Sequence, residues 1–421
     1  MEDVLIVGGG PVGLINAIGL ARQNVQVRVI EAEPGVLPAP RAMSYHRQAL
    51  DGLMLLGLFD DMAEAGFLHD QFAARIFKTN EGFTTKYAFP EGLDHPYLLT
   101  LAINELTEVV VSHIKRYPNI TFEWGKRFIG LKQYDDRVEV EAEDKAGNRE
   151  IIKAKWVIGA DGGRSGVRKS IGQELIGYTW PDRFVATNMH FDFGGHGWNP
   201  RMNLMVDNQF GAIIVRLTRE GQWRVTFHED ARLPEEGLRD RIFEYYRRVL
   251  PGGGEGATLD LYSAYSMHQR CVAKMRVGRV VLAGDSAHVT NPTSGLGLVG
   301  GMFDSFVLID ALAAVVKGEA RDDVLDEYAR LRRKTFLEVS SPISCESKRR
   351  VFHLTEPEIM AERDRLIAAQ KTGSGWGGGA RGYHAIKLET PSVITGRTTA
   401  EERMRKLGPG PLVFEDRQVF Q

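Results

Sequence analysis

The chain has 421 residues, 43% of them hydrophobic and 26% charged, with a formal net charge of -2. That length exceeds what one hydrophobic core usually supports, so two domains and a tail are expected, and the balanced charge gives no reason to expect a nucleic-acid partner. Cys271 and Cys345 are the only cysteines, which argues against a disulfide framework and suits a reducing compartment.

Met1-Glu2-Asp3 runs into an apolar strand without a basic n-region, and the apolar run Phe306 to Val316 is interrupted by Asp310, well short of a bilayer span. The expectation is a soluble cytoplasmic protein, monomer or homodimer, with small-molecule partners and neither nucleic acid nor membrane. Val4 to Val7 is an apolar run ended by glycines. A helical pattern follows through Leu14, Ile18 and Ala21, and then a β-rich run from Val25 to Ile30, which together read as a βαβ unit. Helices are predicted over Ala49 to Ala65 and Ile103 to Tyr117, and strands at Val138 to Ala142 and Lys155 to Ile158.

Between about Tyr178 and Tyr262 the texture changes to alternating segments, Arg183 to Phe193, Phe210 to Leu217 and Trp223 to His228, which predict a separate antiparallel sheet. The first texture returns at Arg279 to Ala283, so the first domain is discontinuous, with the sheet inserted and a pocket between them. The expected boundaries are 1–75, 98–177 and 263–350 for the first domain, 76–97 and 178–262 for the sheet, and 351–421 for a helical C-terminal region and tail. Beyond Leu325 the pattern is helical. Thr355-Glu356-Pro357-Glu358 reads as a capping box opening a helix to about Gln370, and Gly373 to Gly382 as a loop.

Gly8-x-Gly10-x-x-Gly13 lies between a strand and a helix. In that setting Gly8 permits the turn, Gly10 lets a pyrophosphate approach, and Gly13 allows helix and strand to pack closely. Helix N-H groups then face the anion. Glu31 closes the second strand, where an acid accepts hydrogen bonds from adenosine ribose. This fingerprint does not separate NAD from FAD. Later, Val281 to Asp285 is another apolar strand delivering a carboxylate, followed by a glycine loop suited to a polyol and a flat ring. Asp161-Gly162 alone could be an ordinary turn.

Together these stretches resemble the class A flavoprotein monooxygenases, the aromatic hydroxylase family that includes p-hydroxybenzoate and phenol hydroxylases, over Val4 to about Arg333. The fold this implies is α/β (α+β): a discontinuous Rossmann-like FAD-binding domain, an inserted mostly antiparallel β-sheet substrate domain and a helical C-terminal region. Gly284-Asp285-Ser286-Ala287-His288 is similar to the family signature whose aspartate binds the ribityl chain. Pro292-Thr293-Ser294-Gly295-Leu296-Gly297, with Leu298, resembles the loop passing the isoalloxazine ring, which makes Pro292 a catalytic-loop candidate. Asp161 to Arg168 resembles the central motif associated with FAD and the nicotinamide donor. Pro40-Arg41-Ala42 resembles the segment whose arginine touches FAD, and Asn104 takes the place of a glutamine near the ribityl chain. Val299 stands where several members carry an asparagine, which alters a contact at the pyrimidine side of the ring.

The substrate pocket is less legible. A gapless comparison sets Arg216 where p-hydroxybenzoate hydroxylase holds its substrate carboxylate and Arg224 where it has a pocket tyrosine, although outward arginines on strands are the commoner situation. His46 is a candidate base near the flavin. Tyr178, Trp180, Phe184, Trp198, Phe210, Trp223 and Phe227 could line a pocket or form the sheet's core. The resemblance implies an FAD-dependent hydroxylase that consumes NADH or NADPH and O2 and hydroxylates an electron-rich aromatic small molecule through a flavin C4a-hydroperoxide. No metal-ligand spacing stands out. The rivals are an epoxidase, a Baeyer-Villiger-type oxygenase or an oxidase. A halogenase is disfavoured because the Trp-x-Trp-x-Ile-Pro signature is missing, and a flavin-binding regulator without turnover is the non-enzyme alternative.

Overall fold

The computed structural model describes residues 1–37, 43–87 and 97–372. Its first sheet follows the strand order Arg276–Val277, Val280–Leu282, Arg149–Gly159, Glu2–Val7, Val27–Glu31, Ile120–Trp124. All of these pairings but the first are parallel. Val4 to Val7 are buried to 3% exposure or less, as expected of a continuous apolar strand covered by helices on both faces. The helix Pro11–Arg22 is one cover, and it packs against Leu296–Val316 and Ile103–Ile114. Arg127–Gln133 and Val138–Glu143 extend the sheet as an antiparallel flap on Arg149–Gly159.

The second sheet has eight strands in the order His288–Val289, Thr258–Cys271, Ile176–His190, Gln222–Asp230, Ala212–Arg216, Met202–Val206, Gln71–Ile76, Glu81–Lys86. Every pairing is antiparallel except Met202–Val206 with Gln71–Ile76. Gln71–Ile76 is therefore part of this sheet from its first residue, five residues before the expected boundary. Alternation failed to show this because Phe72, Ala73 and Ala74 are buried in succession.

The two faces of this sheet have different covers. One holds Trp198, Trp223, Val225 and Phe227, with Phe210 beside them, under the amphipathic helix Leu238–Val249. The other holds Phe184, Ile213, Val215 and Met267, with Trp180 at its margin, against Val351, Phe352 and the helix Glu356–Thr372. Six of the seven aromatics singled out in the sequence thus pack into or beside a core, and only Tyr178 is largely exposed. Lys348, fully buried, fastens the helix Ser341–Phe352 to the second face. Its Nζ lies 2.6 Å from Asp182 Oδ2 and bonds His353, so the group formed by Asp182, His228 and His353 already holds a cation of the protein's own.

The helix expected over Ala49 to Ala65 is two helices, Arg47–Leu55 and Phe59–Ala65, separated at Gly57 with φ +74°. The capping box forms as read: Glu358 Oε2 accepts from the Thr355 backbone N–H and hydroxyl, each at 2.8 Å. The 21-residue helix Leu296–Val316 has the length and apolar content of a membrane span but is a core helix, with Asp304 and Asp310 fully buried within it. The glycine-rich loop expected at Gly373 to Gly382 lies outside the described residues.

Candidate active site

The three glycine motifs leave the carboxyl ends of adjacent parallel strands. Val7 pairs with Gly159, and Gly159 with Leu282. In open α/β sheets this edge is where ligands bind. Gly8 has φ +116°, and a Cβ there would lie 2.3 Å from Ala160 O, so the first and second motifs touch through backbone. A Cβ on Gly13 would fall 2.0 Å from Gly8 O, which fixes the helix against its turn. Gly10 differs: a Cβ there meets nothing within 4 Å. The turn therefore opens onto space at the N-terminus of Pro11–Arg22, where the helix presents unpaired N–H groups. Glu31 Oε2 accepts from Gly9 N at 2.6 Å and Oε1 from Glu33 N at 2.9 Å, so its carboxylate braces the turn.

Asp161 acts locally. Its oxygens accept from Ser165 Oγ at 2.5 Å, Gly166 N at 2.7 Å and Val167 N at 3.1 Å, capping the short helix Gly166–Ser170. Arg168 then carries the linkage onward, donating to Ser286 O at 3.2 Å and Gly163 O at 2.9 Å. In the third motif Gly284 and Ser286 are buried while Asp285 between them is exposed. The Asp285 carboxylate is thus exposed at the end of an apolar strand, next to Gly284, where a Cβ would lie 3.0 Å from Val12 Cγ2 of the first motif.

The residue that holds this motif in shape escaped the sequence reading. Asp304 Oδ2 accepts from Gly284 N at 2.9 Å and His288 Nε2 at 2.8 Å, and Oδ1 from Arg332 Nε at 2.6 Å, all buried. Burial alone would raise its pKa, but His288 and Arg332 prevail and keep it well below the usual carboxylate range. The available signal was an aspartate inside an otherwise apolar helix, since a buried charge needs partners.

The late loop turns at Gly295, φ +71°, into Leu296–Val316. His46 Nε2 lies 2.9 Å from Ser294 O, and a Cβ on Gly295 would lie 3.2 Å from that same nitrogen. Burial pulls the imidazole down to about 4, so it is neutral and Nε2–H donates to the carbonyl. His46, expected as a base, is by this geometry a clamp on the loop. Pro292 is exposed at the start of the loop, and Gly297 and Leu298 are half-buried in the helix's first turn. Asn104 sits half-buried in the first turn of Ile103–Ile114, and Arg41 lies outside the described residues.

A family model described as "FAD binding domain" matches residues 1–340. The chain is 40% identical over 354 residues to 6-hydroxy-3-succinoylpyridine 3-monooxygenase HspB of Pseudomonas putida (strain DSM 28022 / S16), covering 84% of this chain and 89% of that one. It is also 40% identical over 347 residues to para-nitrophenol 4-monooxygenase of Pseudomonas sp. (strain WBC-3), covering 81% and 85%. The crystal structure of p-nitrophenol 4-monooxygenase PnpA from Pseudomonas putida DLL-E4 superposes with a TM-score of 0.87 at 38% identity, over 92% of this chain and 98% of that one. The chain belongs to the FAD-dependent aromatic monooxygenases.

The residues present fit the cofactor of this family. An open glycine turn at a helix N-terminus, an exposed carboxylate at Asp285 and a clamped glycine loop at Gly295 surround one edge of the sheet. As a flavin monooxygenase the protein uses FAD, NADH or NADPH, and O2.

In this monooxygenase the two pocket arginines lie on opposite faces of the second sheet. Cross-strand pairs share a face; Arg216 pairs with Trp223 on the face of helix Leu238–Val249, and Val215 with Arg224 on the other. Arg216 Nε donates to Thr218 O at 3.0 Å and its Nη2 to Arg219 O at 2.6 Å, binding it to its own hairpin turn. The residue expected as a carboxylate anchor thus lies on the face of helix Leu238–Val249, with its guanidinium engaged by its own turn. Arg224, only 2% exposed, donates from Nε and Nη2 to Asn188 Oδ1 at 2.9 and 2.8 Å, and its Nη1 lies 4.0 Å from Met43 Sδ.

Proposed function

We propose that this monooxygenase places one oxygen atom of O2 on a phenol or hydroxypyridine at the ring carbon para to the hydroxyl. A hydrogen at that carbon leaves as a proton, and a substituent there leaves with its bonding electron pair. The observation that carries the reading is equal, 40%, identity to two enzymes with different ring systems. Their names place the new oxygen at carbon 4 of a nitrophenol and carbon 3 of a 6-hydroxypyridine, each para to a ring hydroxyl. Bound FAD supplies the redox chemistry, drawing electrons from the nicotinamide donor and passing one atom of O2 to the ring.

The chain's own residues bind, orient and enclose. Gly10 and the first-turn amides of Pro11–Arg22 would receive the pyrophosphate, with Gly8 and Gly13 shaping the turn. Glu31 would meet the adenosine ribose, Asp285 the ribityl hydroxyls with Asn104 beside them, and the backbone of Gly295, Gly297 and Leu298 the ring. Asp161 serves by holding the second motif in register with the third.

The test is a panel of phenols and hydroxypyridines with and without para substituents, scored for stimulated NAD(P)H oxidation and for label from 18O2 in the product. Label confined to water or peroxide across all stimulating compounds points instead to an oxidase. Asp285→Ala should release FAD, read as a lower flavin content after purification.

A further inference from the structure

The loop that opens into Leu296–Val316 is held from two sides. His46 clamps one of them, at the Ser294 carbonyl. The other rests on residues that belong to none of the three motifs, and two of these, Ser341 and Ser344, lie beyond residue 340, where the match to the family model ends.

Gln269, on the strand Thr258–Cys271 and 5% exposed, is the hub of this second support. Its Oε1 accepts from Asn291 N and Asn291 Nδ2, each at 3.2 Å. Its Nε2 donates to Thr290 Oγ1 and to Ser341 Oγ, each at 2.8 Å, with Ser341 O at 3.2 Å. Asn291 Oδ1 accepts from Thr293 N at 3.2 Å, which carries the order into the turn. At the far end of the loop Ser294 Oγ meets Ser344 Oγ at 2.6 Å, both side chains buried. These groups are neutral amides and hydroxyls, so they fix direction without the cost of a buried charge.

The chain Phe336–Phe352 is shaped to run beside the loop. Its first turn, Phe336–Ser340, is a wide π-turn, which brings Phe336 and Ser341, five residues apart, onto one face that Ser344 and Lys348 continue. Phe336 stacks on His288 with ring centroids 4.6 Å apart, and Lys348 pins the other end of the face to Asp182. One helical face thus meets the third motif at His288, reaches Thr290 and Asn291 through Gln269, and meets Ser294 directly.

We infer that Gln269 and Ser344 are positioning residues that hold the loop Thr290–Gly295, and with it the flavin ring, in line with the aromatic substrate. This rests on the function proposed above, which puts the backbone of Gly295 at the ring. Small errors of alignment are costly where an atom must pass between two bound groups. When the loop is held by His46 alone, a hydride from NAD(P)H and one proton reduce O2 to hydrogen peroxide, and no oxygen atom reaches the substrate.

The experiment compares the parent with Gln269→Met, which keeps the side chain's length and removes its hydrogen bonds, and with Ser344→Ala. Three quantities are read: amide hydrogen exchange at Asn291 and Thr293 in the apoprotein, the FAD dissociation constant, and peroxide formed per NAD(P)H oxidised with 4-nitrophenol present. Ile359→Ala is the control for lost stability alone, since Ile359 is fully buried on the same face of the second sheet but in the helix Glu356–Thr372. Gln269→Met should speed exchange at Asn291 about tenfold or more, weaken FAD about three- to tenfold and at least about triple the peroxide yield. Ser344→Ala should move all three in the same direction by less. Ile359→Ala should lower the melting temperature and leave all three within about twofold of the parent.

Should Gln269→Met fail to fold, Ser344→Ala decides, because alanine suits a helix interior. The inference is overturned if the foldable variants stay within about twofold of the parent in all three quantities, or if Ile359→Ala leaks as much peroxide as they do. A parent whose NAD(P)H oxidation no phenol or hydroxypyridine stimulates sinks the proposed function instead, and exchange and FAD affinity then judge the loop support by themselves.

Discussion

The flavin cradle and the second sheet are built by different means. The cradle is backbone: strand ends in register, glycines where a Cβ would collide, and turns held by Glu31, Asp161 and Asp304. The second sheet presents side chains, and what each of its faces offers depends on the register of its strands. A backbone site leaves its mark in the sequence because only glycine satisfies it. A side-chain site does not, because a register change of one residue exchanges its whole lining.

The strongest test of this contrast lies within the cradle itself. Gly8→Ala and Gly13→Ala place a Cβ 2.3 Å from Ala160 O and 2.0 Å from Gly8 O, so the strand ends must separate. We expect a loss of about 4 kcal/mol or more, seen as little soluble protein. As apoprotein, Gly10→Ala should melt within about 0.5 kcal/mol of the apo parent, since its Cβ meets nothing, yet bind FAD at least about tenfold more weakly. Parent-like FAD affinity in Gly10→Ala would remove the cradle from this turn.

Asp304 comes next. Replacing it by alanine strands buried His288 and Arg332 and should cost about 3–5 kcal/mol. Its folded pKa is depressed, so its stabilisation is complete above about pH 4, where the unfolded carboxylate is ionised, and is lost as pH falls further. The acid limb of the parent's unfolding profile should therefore be steeper than that of Asp304→Asn; identical limbs would show that the charge is immaterial.

His46 has a smaller effect in a different pH window. Its folded pKa is lowered to about 4, so between about pH 6.5 and 4 the unfolded chain takes a proton that the folded one resists, and stability falls as pH drops through that interval. His46→Gln retains an N–H for Ser294 O and should flatten this slope while keeping most activity. His46→Ala should lose about 1–2 kcal/mol and slow turnover through a loosened loop. If His46→Gln is as inactive as a base deletion, the imidazole does more than clamp.

What the sequence disclosed follows the same division. The βαβ unit, the discontinuous first domain, the inserted sheet and the three motifs were legible because each has a local steric or periodic cause. The start of the second sheet at Gln71, the two faces of that sheet and the helix Leu238–Val249 were not, since they depend on which distant strands pair. Asp304 acts on Gly284 across 20 residues and on Arg332 across 28, and nothing local marks those partnerships. His46 was visible as a residue, but its place as a clamp emerges only from the hydrogen bond to the Ser294 carbonyl, 248 residues away.

The smallest expected effect is the sharpest on the side of the second sheet. Alignment without gaps favoured Arg216, and the register puts it opposite Trp223, on the face turned toward helix Leu238–Val249. Its guanidinium is engaged by the carbonyls of Thr218 and Arg219, and its ring neighbour is Phe67, with its Cζ 5.6 Å from the ring centroid. Arg216→Ala should therefore melt within about 0.5 kcal/mol of the parent, as for a surface change away from special features. Its Michaelis constant for the best phenol should stay within about twofold, a difference well under a kcal/mol. A rise of tenfold or more with normal FAD content would mean that the hairpin Ala212–Asp230 shifts register or reorients when substrate binds, and would return the anchor to the position that alignment proposed.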